Sequence, residues 1–229
     1  MTNRVRDNGG RDERFGYRCG RCGKCCRGKL IQVNPYEVGR LARCLQQSTT
    51  QFRTAWTDAG AGNYLRRNPD GTCVFLTPAG CGVYADRPLV CRIYPLGRHV
   101  SAAGAERWSH VPPHFLSEGR YTHEGTIADF LATQGAEPFM DACDQYHRWV
   151  LRAAEVLGQG SPDGDGEQGE ALADLTDMDA AISAYCDALK QAEPGDIEVR
   201  KDLHLEILYQ RLEEVAGGND ERRHSAAPG

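Results

Sequence analysis

Apolar positions recur at three- and four-residue intervals in several stretches, and these predict the helices of the chain. The first opens at Asn34-Pro35-Tyr36-Glu37, with an Asn cap, proline at the first helical position and Glu at the third. Its apolar stripe is Val38, Leu41, Ala42 and Leu45, and Cys44 beside the stripe reads as a small core or boundary residue. A second helix runs from Thr50 through Phe52, Ala55 and Trp56, and a capping-box-like Thr126-Ile127-Ala128-Asp129 starts a third through Leu131. Pro138 starts a fourth, with Phe139, Ala142, Cys143, Tyr146, Val150, Ala153 and Leu157 on one face. Two more form a C-terminal pair. One covers about Asp177 to Ala192 with Ile182, Tyr185 and Leu189 inward. The other starts at Asp196, carries Val199, Leu203, Ile207, Leu208, Leu212 and Val215, and should stop at Gly217-Gly218.

Shorter patterns fill the first half. Leu30–Val33 reads as a strand, and Asn68-Pro69-Asp70-Gly71 as a turn. Cys73–Leu76 and Cys81–Tyr84 read as two short strands joined by Thr77-Pro78-Ala79-Gly80. Asp86 is placed to cap a short helix with Pro88 near its start, which carries Cys91 inward and ends before Pro95. From Leu96 to His123 the pattern is irregular, with strands expected around His99-Val100 and Trp108–Val111. The sum is an α+β fold: a small helix-rich metal-binding domain with short strands around a cysteine cluster, plus a C-terminal helical pair. The expected boundaries are a disordered tail over 1–14, the cysteine-cluster domain over 15–157, a flexible acidic linker over 158–169, the helical pair over 170–217 and a disordered tail over 218–229.

Composition narrows the function classes. The net charge of −5 argues against general nucleic-acid binding. No apolar run approaches the roughly 18 residues of a membrane span. Residues 1–14 are polar and charged, with no apolar region of a secretory signal. A cytoplasmic protein is expected, and there cysteine patterns point to metal or redox chemistry rather than disulfides.

Ten cysteines are present, and four of them fall within eight residues, Cys19-Gly20-Arg21-Cys22-Gly23-Lys24-Cys25-Cys26. C-x2-C-x2-C on a glycine-bearing loop turns three sulfurs toward one object, either a zinc ion or an iron–sulfur cluster. Gly20 and Gly23 suit such a loop because glycine tolerates positive φ. Cys26, adjacent to Cys25, serves a different edge, a second metal or none. Cys73, Cys81 and Cys91 each sit in a turn-rich context, so the candidate metal ligands are Cys19, Cys22, Cys25, Cys26, Cys73, Cys81 and Cys91. Seven thiols exceed one tetrahedron and fall one short of two, for which His99, Cys143 or water is the candidate eighth ligand. His99, His110 and His114 read first as hydrogen-bonded structural residues and otherwise as metal ligands or acid–base groups. Arg87 and Arg92 flank Cys91 and are placed to stabilise thiolates, bind an anion or pair with Asp86. Tyr84 and Tyr94 read as packing around the loop, and Cys186 as core.

These pieces resemble the YkgJ-type cysteine-cluster family, also described as the CxxCxxCC zinc- or iron-chelating domain. The matching residues are Cys19-x2-Cys22-x2-Cys25-Cys26-Arg27, the Pro35-Tyr36-Glu37-Val38-x2-Leu41-Ala42 helix, Cys73-x-Phe75-Leu76, Gly80-Cys81-x-Val83-Tyr84, and Arg87-Pro88-x2-Cys91-Arg92-x-Tyr94-Pro95. The resemblance covers roughly 17–100 and implies metal chelation by these cysteines. Its members are often labelled iron–sulfur oxidoreductases, and flagellin lysine N-methylases form a related branch. Three functions are therefore expected, in this order: an iron–sulfur protein of the 4Fe–4S kind with an oxidoreductase or electron-transfer role, a zinc-stabilised protein-binding module, and an S-adenosylmethionine-dependent protein-lysine methyltransferase. The partner would be a protein or a small-molecule substrate.

Overall fold

Helices form where the sequence supplies reciprocal caps. The computed structural model describes residues 6–58, 63–101, 103–122, 124–156 and 175–225, with side chains between 9 and 217. Among the described residues the order is β1 (Arg6–Asn8), β2 (Tyr17–Arg18), α1 (Pro35–Cys44), α2 (Thr49–Trp56), β3 (Thr57–Asp58), β4 (Tyr64–Leu65), β5 (Leu76–Thr77), β6 (Gly80–Cys81), α3 (Leu89–Arg92), β7 (Leu96–Val100), β8 (Glu106–His110), β9 (Arg120–Tyr121), α4 (Ile127–Gln134), α5 (Glu137–Val156), α6 (Met178–Leu189) and α7 (Ile197–Ser225). Asn34 with Glu37, Ser48 with Gln51 and Thr126 with Asp129 form complete capping boxes ahead of α1, α2 and α4. Each box satisfies two main-chain donors that a helix start leaves without partners. Helices combined with short antiparallel pairs make this the α+β fold that the patterning predicts. The elements group into two units, one of residues 1–32 and 64–140, the other of 33–63 and 141–229.

The first unit is built on a three-stranded antiparallel sheet ordered β1-β8-β7. In the β7–β8 pair Leu96 faces His110 and Arg98 faces Trp108. Phe15, Leu96, Trp108, Ile127, Phe130 and Leu131 are buried and make its core. Residues 6–14, expected in a disordered tail, are structured instead. β1 pairs with β8, and Arg11 reaches Glu106 at 2.6 Å and Glu137 at 2.5 Å. Main-chain ladders and charge-assisted bonds hold a polar segment without apolar residues, so composition alone does not register them. Three further elements differ from expectation. Leu30–Val33 forms only an isolated bridge, Gln32 to Tyr64. The hairpin pairs only Leu76–Thr77 with Gly80–Cys81, leaving Cys73 before it in an isolated bridge to Arg67. Residues 84–86 form a 3-10 turn, which takes up Asp86, and α3 opens at Pro88 with no side-chain cap.

In the second unit α1, α2, α6 and α7 pack on one another. Tyr36, Leu41, Phe52, Met178, Ile182, Cys186 and Leu208 are almost wholly buried. Gly39 allows the close approach: a Cβ there would sit 3.1 Å from Ile197 and 3.3 Å from the Met178 sulfur. Thr49 ties α2 to the start of α6, its N–H donating to Asp179 at 2.7 Å while its hydroxyl accepts from Asp179 N at 2.9 Å. Several predicted inward residues face out. On α5 the buried stripe is Ala142, Tyr146, Trp149 and Ala153, and Val150, one residue off that stripe, is exposed. Leu189 and Val199 are also exposed, and Cys44 lies on the surface rather than in a core. On α7 the expected Ile207, Leu208 and Leu212 are buried, and the same face also buries Arg200, Lys201 and His204, which apolar spacing does not register. That helix also runs past Gly217-Gly218 to Ser225. Glycine costs a helix about 1 kcal/mol relative to alanine but does not forbid helical backbone. The expected linker over 158–169, Leu157 and His123 lie outside the described residues.

Candidate metal centre

The cysteine loop follows two buried aromatic anchors, Phe15 and Tyr17. Its glycines act in different ways. Gly23 has φ +68 and precedes the 3-10 turn Lys24–Cys26, closed by Cys26 N–H on Gly23 O at 3.1 Å. A Cβ at Gly20 would lie 2.9–3.0 Å from Glu118, so this glycine serves close approach, and the positive φ expected there falls on Arg21 instead. The distal cysteines are tied onto the loop through the main chain. Cys73 N–H donates to Cys26 O at 2.8 Å, and Gly28 N–H to Gly71 O at 3.0 Å. Cys81 ends the β5–β6 hairpin, and Cys91 sits on α3.

All seven predicted cysteines, Cys19, Cys22, Cys25, Cys26, Cys73, Cys81 and Cys91, line one cavity of about 90 Å3. Every cysteine of the chain is a free thiol. Among the described residues no three His, Cys, Asp or Glu side chains converge on a single ion position; the thiols are spread around the cavity wall. Cys44, Cys143 and Cys186 do not line it, nor do His99, His110 and His114. His99 Nε2 is 2.8 Å from Ser109 Oγ, His110 packs edge-on against Phe15, and His114 Nδ1 accepts from Leu116 N. Neither His99 nor Cys143 is therefore an eighth ligand at this cavity.

Residues 18–110 match the family model named CxxCxxCC and described as a "putative zinc- or iron-chelating domain". This stretch is a CxxCxxCC domain. No curated protein and no solved structure matches the chain.

The donor set of the CxxCxxCC domain fits a thiolate-bound metal group. Three sulfurs, one from each of three segments, are cradled by the main chain two residues on. Cys19 Sγ accepts from Arg21 N–H at 3.4 Å, and the Phe75 and Val83 N–H groups favour thiolates at Cys73 and Cys81. Cys22 Sγ accepts from Glu118 N–H at 3.5 Å. Such bonds are the supporting shell that orients and tunes sulfur ligands. Without a metal the thiols are unequal. The Cys26 thiol donates to Cys25, and Lys29 and Arg87 add positive charge, so Cys25 is held below the ordinary thiol range while Cys26 is pushed up. Burial raises Cys73 and Cys81 and pushes Cys91 up to about 12. Ligands bind as thiolates, so loading the site releases protons.

The lining also contains residues that the sequence did not single out. Tyr17, Arg21, Lys29, Ser117 and Gln134 join the predicted Tyr84, Arg87, Arg92 and Tyr94. Arg87 is buried; it donates to Tyr84 O at 2.6 Å and Gln134 Oε1 at 2.7 Å, and its guanidinium lies 4.0 Å from the Tyr84 ring centroid. Arg92 donates to Gln134 O and Ala85 O, both at 2.6 Å. Arg21 stacks on Tyr84 and Lys29 on Tyr94. The positive charge of Arg87 favours the ionised forms of Cys25 and Cys81 across the cavity. Nothing in the local sequence marks Gln134, which reaches the site from α4 some forty positions later.

Proposed function

We propose that the CxxCxxCC domain holds a cysteine-ligated iron–sulfur cluster of the 4Fe–4S kind and serves in electron transfer or an oxidoreductase reaction. The observation that carries this reading is seven thiols on one cavity of about 90 Å3, three of them on the C-x2-C-x2-C spacing that opens a ferredoxin-type cluster loop; four would ligate the cluster and the others would stand beside it. A cluster bound there supplies one-electron chemistry whose potential follows its charge, hydrogen bonding and exposure. The chain's own residues have separable tasks. The loop thiols Cys19, Cys22 and Cys25 and the distal thiols provide ligands. Arg21, Lys29 and Arg87 offset thiolate charge. The main-chain N–H groups of Arg21, Phe75, Val83 and Glu118 orient the sulfurs. Tyr17, Phe75, Tyr84 and Tyr94 wall off water.

Anaerobic purification with metal and sulfide analysis tests this. The expected protein is brown, absorbs broadly near ~400 nm through thiolate-to-iron charge transfer, and contains inorganic sulfide. Cys22→Ser and Cys91→Ser should each lower the iron content, whereas Cys44→Ser and Cys186→Ser should leave it intact. A colourless protein with stoichiometric zinc would replace this reading with a zinc-stabilised binding module.

A further inference from the structure

The segment that forms the cavity mouth has a charge unlike the rest of the chain. From Arg14 to Val33 it carries Arg14, Arg18, Arg21, Lys24, Arg27 and Lys29 and no acid, in a protein of net charge −5. Arg14, Arg18, Arg21 and Arg27 are exposed. Glu124 at 3.2 Å and Asp70 at 3.7 Å answer Arg18 and Arg27, and the surplus remains positive. The β2–β9 pair sets Arg18 directly opposite Arg120, also exposed. Like charges directly across a strand pair destabilise it, so local stability does not account for this arrangement.

Exposed apolar side chains lie on the segments that flank the cavity. Phe115 is 87% exposed, Leu30 65% and Leu116 53%. Their positions are fixed to the cysteine loop. Tyr94, which lines the cavity, accepts His114 N–H at 2.9 Å, Ser117 lines the cavity, and Glu118 N–H meets Cys22. Leu30 follows Lys29, whose ammonium lies 3.8 Å from the Tyr94 ring centroid. Exposed apolar residues beside a surplus of cations, with Glu118, Glu124 and Asp70 as the acids of that rim, have the anatomy of a protein-binding face with an aromatic anchor and a polar rim. Two of the three anchors are aliphatic, which suits a protein surface better than the stacked bases of a nucleic acid.

We propose that the cysteine-loop face docks an acidic electron-transfer protein, with Phe115, Leu30 and Leu116 as the apolar contact and Arg18, Arg27 and Arg120 as the steering rim. This deepens the electron-transfer reading above by naming the class of partner, and it brings the partner to the cavity mouth, where Cys19 is exposed. Opposite charges would raise the encounter rate and orient the pair before apolar contact forms.

The test uses the full chain, purified anaerobically, and flavodoxin as an acidic one-electron probe. Binding is measured by calorimetry at about 20 mM and about 200 mM salt, a range over which screening of surface charge strengthens severalfold. Affinity should fall about tenfold or more across that range. The triple variant Arg18→Glu, Arg27→Glu, Arg120→Glu should lose roughly tenfold or more at low salt, and Phe115→Ala severalfold. Both should keep the parent's metal content, since none of these side chains lines the cavity. The matched control Arg152→Glu, Arg211→Glu should bind like the parent. No binding by the parent, salt-independent binding, or undiminished binding by the triple variant would overturn the proposal, as would a single-stranded oligonucleotide binding where flavodoxin does not. Metal and sulfide analysis of the same samples reports separately on the cluster. A zinc protein that still binds in this charge-dependent way keeps the docking face and discards the electron-transfer role.

Discussion

In the unit of residues 33–63 and 141–229, capped helices bury Tyr36, Leu41, Phe52, Ile182 and Leu208 at 0% exposure. In the unit of residues 1–32 and 64–140, no strand among the described residues exceeds five residues, and seven thiols line a cavity of about 90 Å3. Helix burial contributes about 25 cal/mol per Å2 of apolar surface and needs no cofactor. A cavity that gathers one exposed and six half-buried thiols gains little until they are bound, and several of them resist ionising while the site is free. The comparison teaches that the helical half is filled by apolar side chains, whereas the cysteine half keeps a thiol-lined cavity that a bound metal would fill.

Stripping the metal should therefore have the largest effect and should fall on one half only. Metal binding contributes apparent free energies of about 10–16 kcal/mol in small zinc domains, where it is folding free energy. Hydrogen exchange before and after metal removal should show protection lost across 15–32 and 64–100, with the α1, α2, α6 and α7 amides still protected. The far-ultraviolet helix signal should persist. Unchanged protection at the cysteine loop would show that the metal is not part of the fold. Simultaneous loss in the helices would show that the two units melt as one.

The helical unit was legible where its pattern is apolar. The Asn34 cap and the α1 stripe follow from residue type at fixed offsets. The α7 face was legible at Ile207, Leu208 and Leu212 but not at Arg200, Lys201 and His204, which are buried there too: Arg200 meets Asp179 at 2.7 Å and Glu193 at 3.1 Å, and Lys201 lies 3.2 Å from Asp202. Polar residues buried through their ion pairs leave no apolar periodicity. At the cavity the cysteines were legible because their spacing is dense, and all seven line it. Gln134 and Ser117 were not, since only the tertiary fold brings α4 and the loop before β9 to the thiols.

His204 sharpens the contrast from the helical side, through acid rather than chelation. It is fully buried; its Nε2–H donates to Leu175 O at 2.7 Å and Nδ1 accepts from the Tyr146 hydroxyl at 2.8 Å, the pattern of a neutral imidazole. A carbonyl only accepts, which fixes the proton on Nε2. Burial, against the opposing pull of the Leu175 carbonyl and Asp177, lowers its pKa from 6.5 to about 4. The unfolded chain then binds more protons between these values. The stabilisation is fully present above about pH 6.5 and is lost as pH falls toward 4, by about 3 kcal/mol in all. Denaturant melts of the helical signal across this range should show that slope, and His204→Gln should flatten it. An equally steep slope in His204→Gln would remove His204 as its source.

The smallest effect compares the same device in both units. Asn34 caps α1 in the helical unit and Thr126 caps α4 in the cysteine unit, each bonding the main-chain N–H three residues on, at 3.0 Å and 3.2 Å. Replacing either by alanine leaves one helix-start donor without its side-chain acceptor and costs about 1 kcal/mol. The readouts should differ. Asn34→Ala should lower the melting of the helical signal by a few degrees and leave metal content unchanged. Thr126→Ala loosens the helix that delivers Gln134 to Arg87 and Arg92. It should therefore speed metal loss to a chelator severalfold, with little change in the helical melt. If Asn34→Ala sped metal loss as much as Thr126→Ala does, the division between a self-supporting half and a metal-dependent half would not hold.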